Sequence, residues 1–119
     1  MVGIVIPAYK RRDTLKTALK SLELQTKKDF TVIVVDDHSP EPLRDVLDEF
    51  ETLDWLYYYA EENGGPGAAR QIGLDICYSK EYKYVMFLDS DDILYPQAVQ
   101  RLVEEMELTE CSMISAAIW

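Results

Sequence analysis

Apolar residues fall into two alternating patterns along this chain. Short runs dominated by apolar side chains occur at 2–7 (VGIVIP), 30–37 (FTVIVVDD), 55–59 (WLYYY), 83–89 (KYVMFLD) and 112–119 (SMISAAIW). Between them, apolar positions recur at i, i+3, i+4 and i+7, the spacing of one helix face. The four stripes are Leu15, Ala18, Leu19 and Leu22; Leu43, Val46, Leu47 and Phe50; Ala69, Ile72, Gly73 and Ile76; and Val99, Leu102, Val103 and Met106. Ser39 before Pro40 predicts a cap and first turn for the second helix. The third helix is expected over 68–78, and the fourth from Pro96, which puts Tyr95 at its cap.

Strands that are apolar on both faces and alternate with helices predict a mainly parallel sheet covered on both sides. The expected fold is therefore α/β, a Rossmann-like three-layer α/β/α arrangement of about five strands in a single domain spanning 1–119. Ligands in such sheets bind beyond the carboxyl ends of the strands. Three polar motifs fall at that rim: Pro7-Ala8-Tyr9, Asp36-Asp37 and Asp89-Ser90-Asp91-Asp92.

Charge narrows the ligand. Acidic residues outnumber basic ones 22 to 12, a formal net charge of -10. Duplex nucleic acid and anionic membrane are poor partners for such a chain. An anionic ligand needs a metal ion or a local cluster of donors. No apolar run approaches the roughly 18 residues of a membrane span, and the opening MVGIVIPAY reads as a folded strand rather than a leader. Cys77 and Cys111 lack a CxxC spacing and read as small core residues in a reducing cytoplasm.

The run VMFLDSDDILYP (85–96) concentrates negative charge beside a buried strand. Like charges in contact oppose one another unless a cation or proton intervenes. Side chains alternate along an extended chain, so Asp89 and Asp91 are expected on one side. Two oxygen ligands with open positions beside them suit Mg²⁺ or Mn²⁺ shared with substrate phosphates. The competing reading, acids that merely end a strand, is weakened by the position of Tyr95 as the cap. In VVDDHS (34–39), Asp36 and Asp37 are either turn formers or hydrogen-bond acceptors for a base or ribose. His38 reads as a solvated turn residue and Ser39 as the helix cap. NGGPGAAR (63–70) offers backbone amides to a phosphate or simply punctuates the chain. It matches neither a dinucleotide fingerprint nor a P-loop. Arg70 is its notable companion, a fixed positive charge in an acidic chain.

Taken in order, VIPAYKRRDTLKTALKSLELQT, DFTVIVVDDHS, ENGGPGAARQIGL and YVMFLDSDD resemble the nucleotide-sugar-binding half of family 2 glycosyltransferases with the GT-A fold. The resemblance covers nearly the whole chain. It implies that Pro7, Ala8, Tyr9 and Asp37, with Asp36 beside it, hold the nucleoside. It implies that Gly67 and Arg70 belong to the nucleotide-sugar site, and that the DxD motif falls on Asp89-Ser90-Asp91, followed by Asp92. Ribose contact by this motif and coordination of Mn²⁺ or Mg²⁺ by Asp91, Asp89 and Asp92 follow from the resemblance. So does a nucleoside-diphosphate sugar donor, expected to be uridine-linked, with inverting transfer to an acceptor hydroxyl on a saccharide, lipid or protein. Lys10, His38 and Gln71 depart from the family's usual asparagine, glycine and asparagine, and none of these removes an expected ligand. The family's general base and most of its acceptor site come from sequence beyond residue 119. No base is assigned here, and Glu104, Glu105 and Glu110 read as a solvated helix face and its end.

Three other classes fit less well. IVVDDHSPEPLRDVL resembles the opening of a response-regulator receiver domain, but the acid pair follows the second strand and no lysine occurs after Lys83. A nucleotidyltransferase lacks its glycine-rich opening here. A non-catalytic module of the same fold, binding a nucleotide sugar or a protein, is separated from an enzyme by activity alone. The apolar C-terminal strand is expected near a sheet edge, where it invites pairing with a second copy or a partner chain.

Overall fold

A computed structural model describes residues 2–26, 29–89, 93–109 and 113–115. The strands are β1 (Val2–Ala8), β2 (Phe30–Asp36), β3 (Trp55–Tyr59), β4 (Tyr84–Phe87) and β5 (Met113–Ser115), interleaved with helices α1 (Arg12–Glu23), α2 (Arg44–Leu47), α3 (Gly65–Ser79) and α4 (Ala98–Thr109). The sheet order is β3-β2-β1-β4-β5. Every pairing is parallel. The expected mainly parallel, doubly covered sheet is thus present, and β5 lies at one edge of it.

Alternation of side chains along β1 and β2 builds two cores from single strands. Val2, Ile4, Ile6 and Ala8 of β1, with Phe30, Val32 and Val34 of β2, pack with α1, α2 and α4 on one face. Val5, Ile33 and Val35 face the other way, onto Ala69 and Cys77 of α3. Helix α3 lies unusually close to the sheet. A Cβ on Gly73 would sit 2.2 Å from Val5 Cγ1, so only glycine permits this approach. The α1 face is also joined electrostatically to the α2 region, because Arg12 pairs with Asp45 and Lys16 lies 3.0 Å from Glu49.

Three helix starts differ from expectation. The second helix does not begin at Pro40. Only Arg44–Leu47 is helical, although Leu43, Val46, Leu47 and Phe50 are all buried as the stripe required. Pro42 disfavours helical geometry at Glu41, and the amides of Ser39 and Leu43 are drawn instead to the Asp36 carboxylate. Ser39 is accordingly no cap for α2. The third helix starts at Gly65, earlier than Ala68; Pro66 suits its first turn, and the chain enters it through a glycine φ of 87° that other residues rarely adopt.

The fourth helix starts at Ala98, two residues past Pro96, and its capping partner is remote. Gln25 is 2% exposed, and its Oε1 accepts the Val99 N–H at 3.0 Å. Its Nε2 donates to the carbonyls of Ser21 and Tyr95 at 3.0 and 2.9 Å. The residues that follow the acidic run are therefore fastened to the end of α1.

Candidate functional site

The period-two rule that divides the core also divides the polar residues past the strand ends. Continuing the parity of β2, Asp36 belongs to the α1/α2 face and Asp37 to the α3 face. Continuing β1 and β4 places Pro7, Tyr9 and Asp89 on the α3 face as well. There they surround a cavity of about 420 Å³, with Ala8, Arg11, Asn63, Gly65, Pro66, Ala69 and Arg70 completing its lining. Four segments far apart in sequence thus meet at the carboxyl ends of β1, β2 and β4. Of the residues expected in the site, Pro7, Ala8, Tyr9, Asp37, Arg70 and Asp89 are brought together.

Asp37 organises the middle of this cavity. It is 6% exposed, and its two carboxylate oxygens accept the backbone N–H groups of Gly64 at 2.9 Å and Gly65 at 2.8 Å. A carboxylate at a helix N-terminus satisfies orphan amides and meets the positive end of the dipole. Two amides of the glycine-rich loop, read from sequence as available to phosphate, are thus already engaged by Asp37. Gly67 lies in the exposed first turn of α3 and does not line the cavity.

Asp36, expected beside Asp37 at the nucleoside, is turned into the protein. It is fully buried. Oδ1 accepts the Ser39 N–H, and Oδ2 accepts the Leu43 N–H and the Tyr57 hydroxyl, at 2.9, 2.9 and 2.5 Å. The register places β3 so that Val34 pairs with Tyr57 and Asp36 with Tyr59, which delivers both tyrosines to this end of β2. Burial, reinforced by the neighbouring Asp36 carboxylate, pushes the Tyr57 hydroxyl well above its ordinary pKa. Tyr59 in turn donates its hydroxyl to the Ser39 carbonyl at 2.7 Å. Sequence alone marks these two tyrosines only as strand residues; their i, i+2 spacing, which puts two hydroxyls on one side, is the available signal.

The far side of the cavity is an ion pair. Arg70 Nη2 donates to Asp89 Oδ1 at 2.8 Å, with the side chains 41% and 50% exposed. Arg70 sits in the second turn of α3 rather than at its start. Ser90, Asp91 and Asp92 lie outside the described residues, as does Cys111, while Cys77 is buried and free. Among the described residues no group of three or more His, Cys, Asp or Glu side chains is gathered in a metal-binding arrangement. Asp89 does bring a carboxylate to the cavity wall, and carboxylate oxygen is the donor that Mg²⁺ and Mn²⁺ prefer. The chemistry of this residue fits such an ion. Among the described residues no helix is long and apolar enough to cross a membrane.

An open cavity at the carboxyl ends of a parallel sheet, walled by acids, two arginines and an aromatic ring, defines an α/β domain built to hold a polar ligand. The chain belongs to the family described as Glycosyl transferase family 2, whose sequence model matches residues 3–119. It is 36% identical over 118 residues to the succinoglycan biosynthesis protein ExoW of Rhizobium meliloti, covering 97% of this chain and 37% of that protein. It is 32% identical over 114 residues to the teichuronic acid biosynthesis glycosyltransferase TuaG of Bacillus subtilis, described as putative, covering 94% and 44%. The crystal structure of S. aureus TarS 1-349 in complex with UDP-GlcNAc superposes with a TM-score of 0.81 at 26% identity, covering 92% of this chain and 32% of that one. A mannosyltransferase from Pyrobaculum calidifontis, solved with GDP-Man and Mn²⁺, shares the fold with a TM-score of 0.76 at 18% identity, covering 88% and 32%. The chain spans less than half the length of each of these relatives.

Proposed function

We propose that this domain binds a nucleoside-diphosphate sugar, uridine-linked, for inverting transfer of the sugar to an acceptor hydroxyl. The observation that carries the reading is the convergence of Pro7, Tyr9, Asp37, Arg70 and Asp89 on one cavity. In this assignment Pro7, Ala8, Tyr9 and Asp37 bind the nucleoside. Arg70 supplies a fixed positive charge toward the diphosphate, a role suited to a guanidinium. Asp89, Asp91 and Asp92 would hold Mn²⁺ or Mg²⁺, with Ser90 and Asp89 near the ribose. Such an ion, when bound, supplies Lewis-acid stabilisation of the charge on the departing diphosphate. The UDP-GlcNAc complex of TarS, a relative at 26% identity, supports the uridine assignment. We place the domain in the cytoplasm, a setting in which the free, buried Cys77 stays a thiol.

Asp36 takes no part in ligand contact on this reading. Its carboxylate holds the loop that carries Asp37, so it acts on the ligand only through geometry. The acceptor is a hydroxyl of a saccharide, lipid or protein, and no residue of this chain is assigned as its base.

Calorimetric titration of UDP into the chain, with Mn²⁺ and with chelator, tests the reading. Metal-dependent binding that is lost in Asp91→Ala is the expected result. A folded chain that binds no UDP under either condition would overturn it.

A further inference from the structure

Two residues near the cavity that are not glycine adopt the left-handed conformation, Lys10 at φ 64° and His38 at φ 60°. Such backbone is costly for a residue bearing a Cβ and persists only where its surroundings over-determine it. Ser39 is the residue that ties both turns together. It is fully buried. Its hydroxyl accepts the backbone N–H of Lys10 at 2.9 Å, its own N–H is held by Asp36, and its carbonyl is held by Tyr59. On the other side of the turn, His38 Nδ1 donates to the Ala60 carbonyl at 2.9 Å, and its ring lies 4.9 Å from that of Tyr59. Lys10 stands between Tyr9 and Arg11, both of which line the cavity. Helix capping does not account for the serine, since α2 begins only at Arg44.

We propose that Ser39 is a positioning residue for the ligand: by holding the Lys10 amide it fixes the left-handed turn that presents Tyr9 and Arg11 to the cavity. The identity of the ligand rests on the donor-site reading above; the clamp itself rests on these hydrogen bonds alone. A turn pinned by a serine that is itself fixed through its N–H and carbonyl enters binding with part of its ordering cost already met, which is how preorganisation raises affinity.

The test compares the wild-type chain with Ser39→Ala and with Ser21→Ala. The control removes another buried serine hydroxyl, one bonded to the Ala18 carbonyl on α1 and remote from the cavity lining. NMR of the unliganded proteins reads amide exchange at Lys10 and the ring resonances of Tyr9. In Ser39→Ala, Lys10 is expected to exchange about fivefold faster, the worth of one neutral hydrogen bond, and the Tyr9 resonances to move. Neither should change in Ser21→Ala. UDP titration with Mn²⁺ is expected to weaken about fivefold in Ser39→Ala and to stay at the wild-type value in the control.

Unchanged Lys10 exchange in Ser39→Ala would overturn the clamp, and so would an equal loss of UDP affinity in the control. A wild-type chain that fails to bind UDP would sink the donor-site reading instead. Lys10 exchange and the Tyr9 resonances would then decide the clamp by themselves.

Discussion

On the β2 side of the cavity, buried Asp36 and Ser39 and half-buried Tyr57 form a network with no buried side-chain atom left unsatisfied among the described residues, and the loops leaving β1 and β2 are held by named acceptors. On the β4 side, Arg70 and Asp89 meet through one ion pair with about half of each side chain in solvent. The first side is expensive to break, since a buried donor stripped of its acceptor cannot turn to water. The second is cheap to rearrange, since exposed ion pairs contribute little to folding. For the ligand proposed above, with its flat uncharged base and highly charged diphosphate, this division is an advantage. The rigid wall can be set in advance, while the charged wall exchanges one ionic partner for another.

The contrast can be broken most forcibly at Asp36. Asp36→Ala strands the amides of Ser39 and Leu43 and the Tyr57 hydroxyl, and a loss of about 3–5 kcal/mol in urea denaturation is expected. A loss near that of an ordinary surface substitution would mean that the two walls do not differ. Next comes Tyr57→Phe, with a loss of about 1–2 kcal/mol and a changed response to alkali. The folded state raises the Tyr57 pKa above its ordinary value of 10.0. Its contribution is therefore complete below that pH and disappears as pH rises toward the folded value. Denaturation midpoints measured upward from about pH 9 should fall more steeply for wild type than for Tyr57→Phe; parallel curves would remove the buried hydroxyl from the account. Smallest in stability is Arg70→Ala, at no more than about 0.5 kcal/mol. Its UDP affinity should nevertheless drop about tenfold. Arg70→Ala that unfolded the protein would make the charged wall structural as well.

The apolar runs made the sheet legible because strands covered on both faces, like β1 and β2, are buried at every position, and the half-buried run WLYYY still coincides with β3 end to end. From sequence, period two is carried past a strand end only for Asp89; the other rim residues follow from the family resemblance. What escaped the sequence depends on partners that are close only in space. Asp36 and Asp37 are adjacent and chemically identical, yet opposite parity sends one into the loop beneath α2 and the other to the N-terminus of α3. The stripe Leu43–Phe50 signalled burial correctly but not helix length, because capture of the Ser39 and Leu43 amides by Asp36 competes with the helical ladder. Nothing local distinguishes Gln25 from any polar residue after a helix.

That glutamine sets an order of assembly. Its side chain is built with α1, but its acceptor and donor partners at Tyr95 and Val99 lie 70 and 74 residues further along. A chain growing from its N-terminus therefore has the residues of β1, β2, β3, α3 and β4 before those of 95–99, while the Gln25 amide can reach only the local Ser21 carbonyl. Only when 95–99 arrives can the amide be sealed from solvent and the Val99 N–H gain the acceptor that α4 itself does not provide. The segment following the acidic run is thus fastened to α1 by a residue made 70 positions before it.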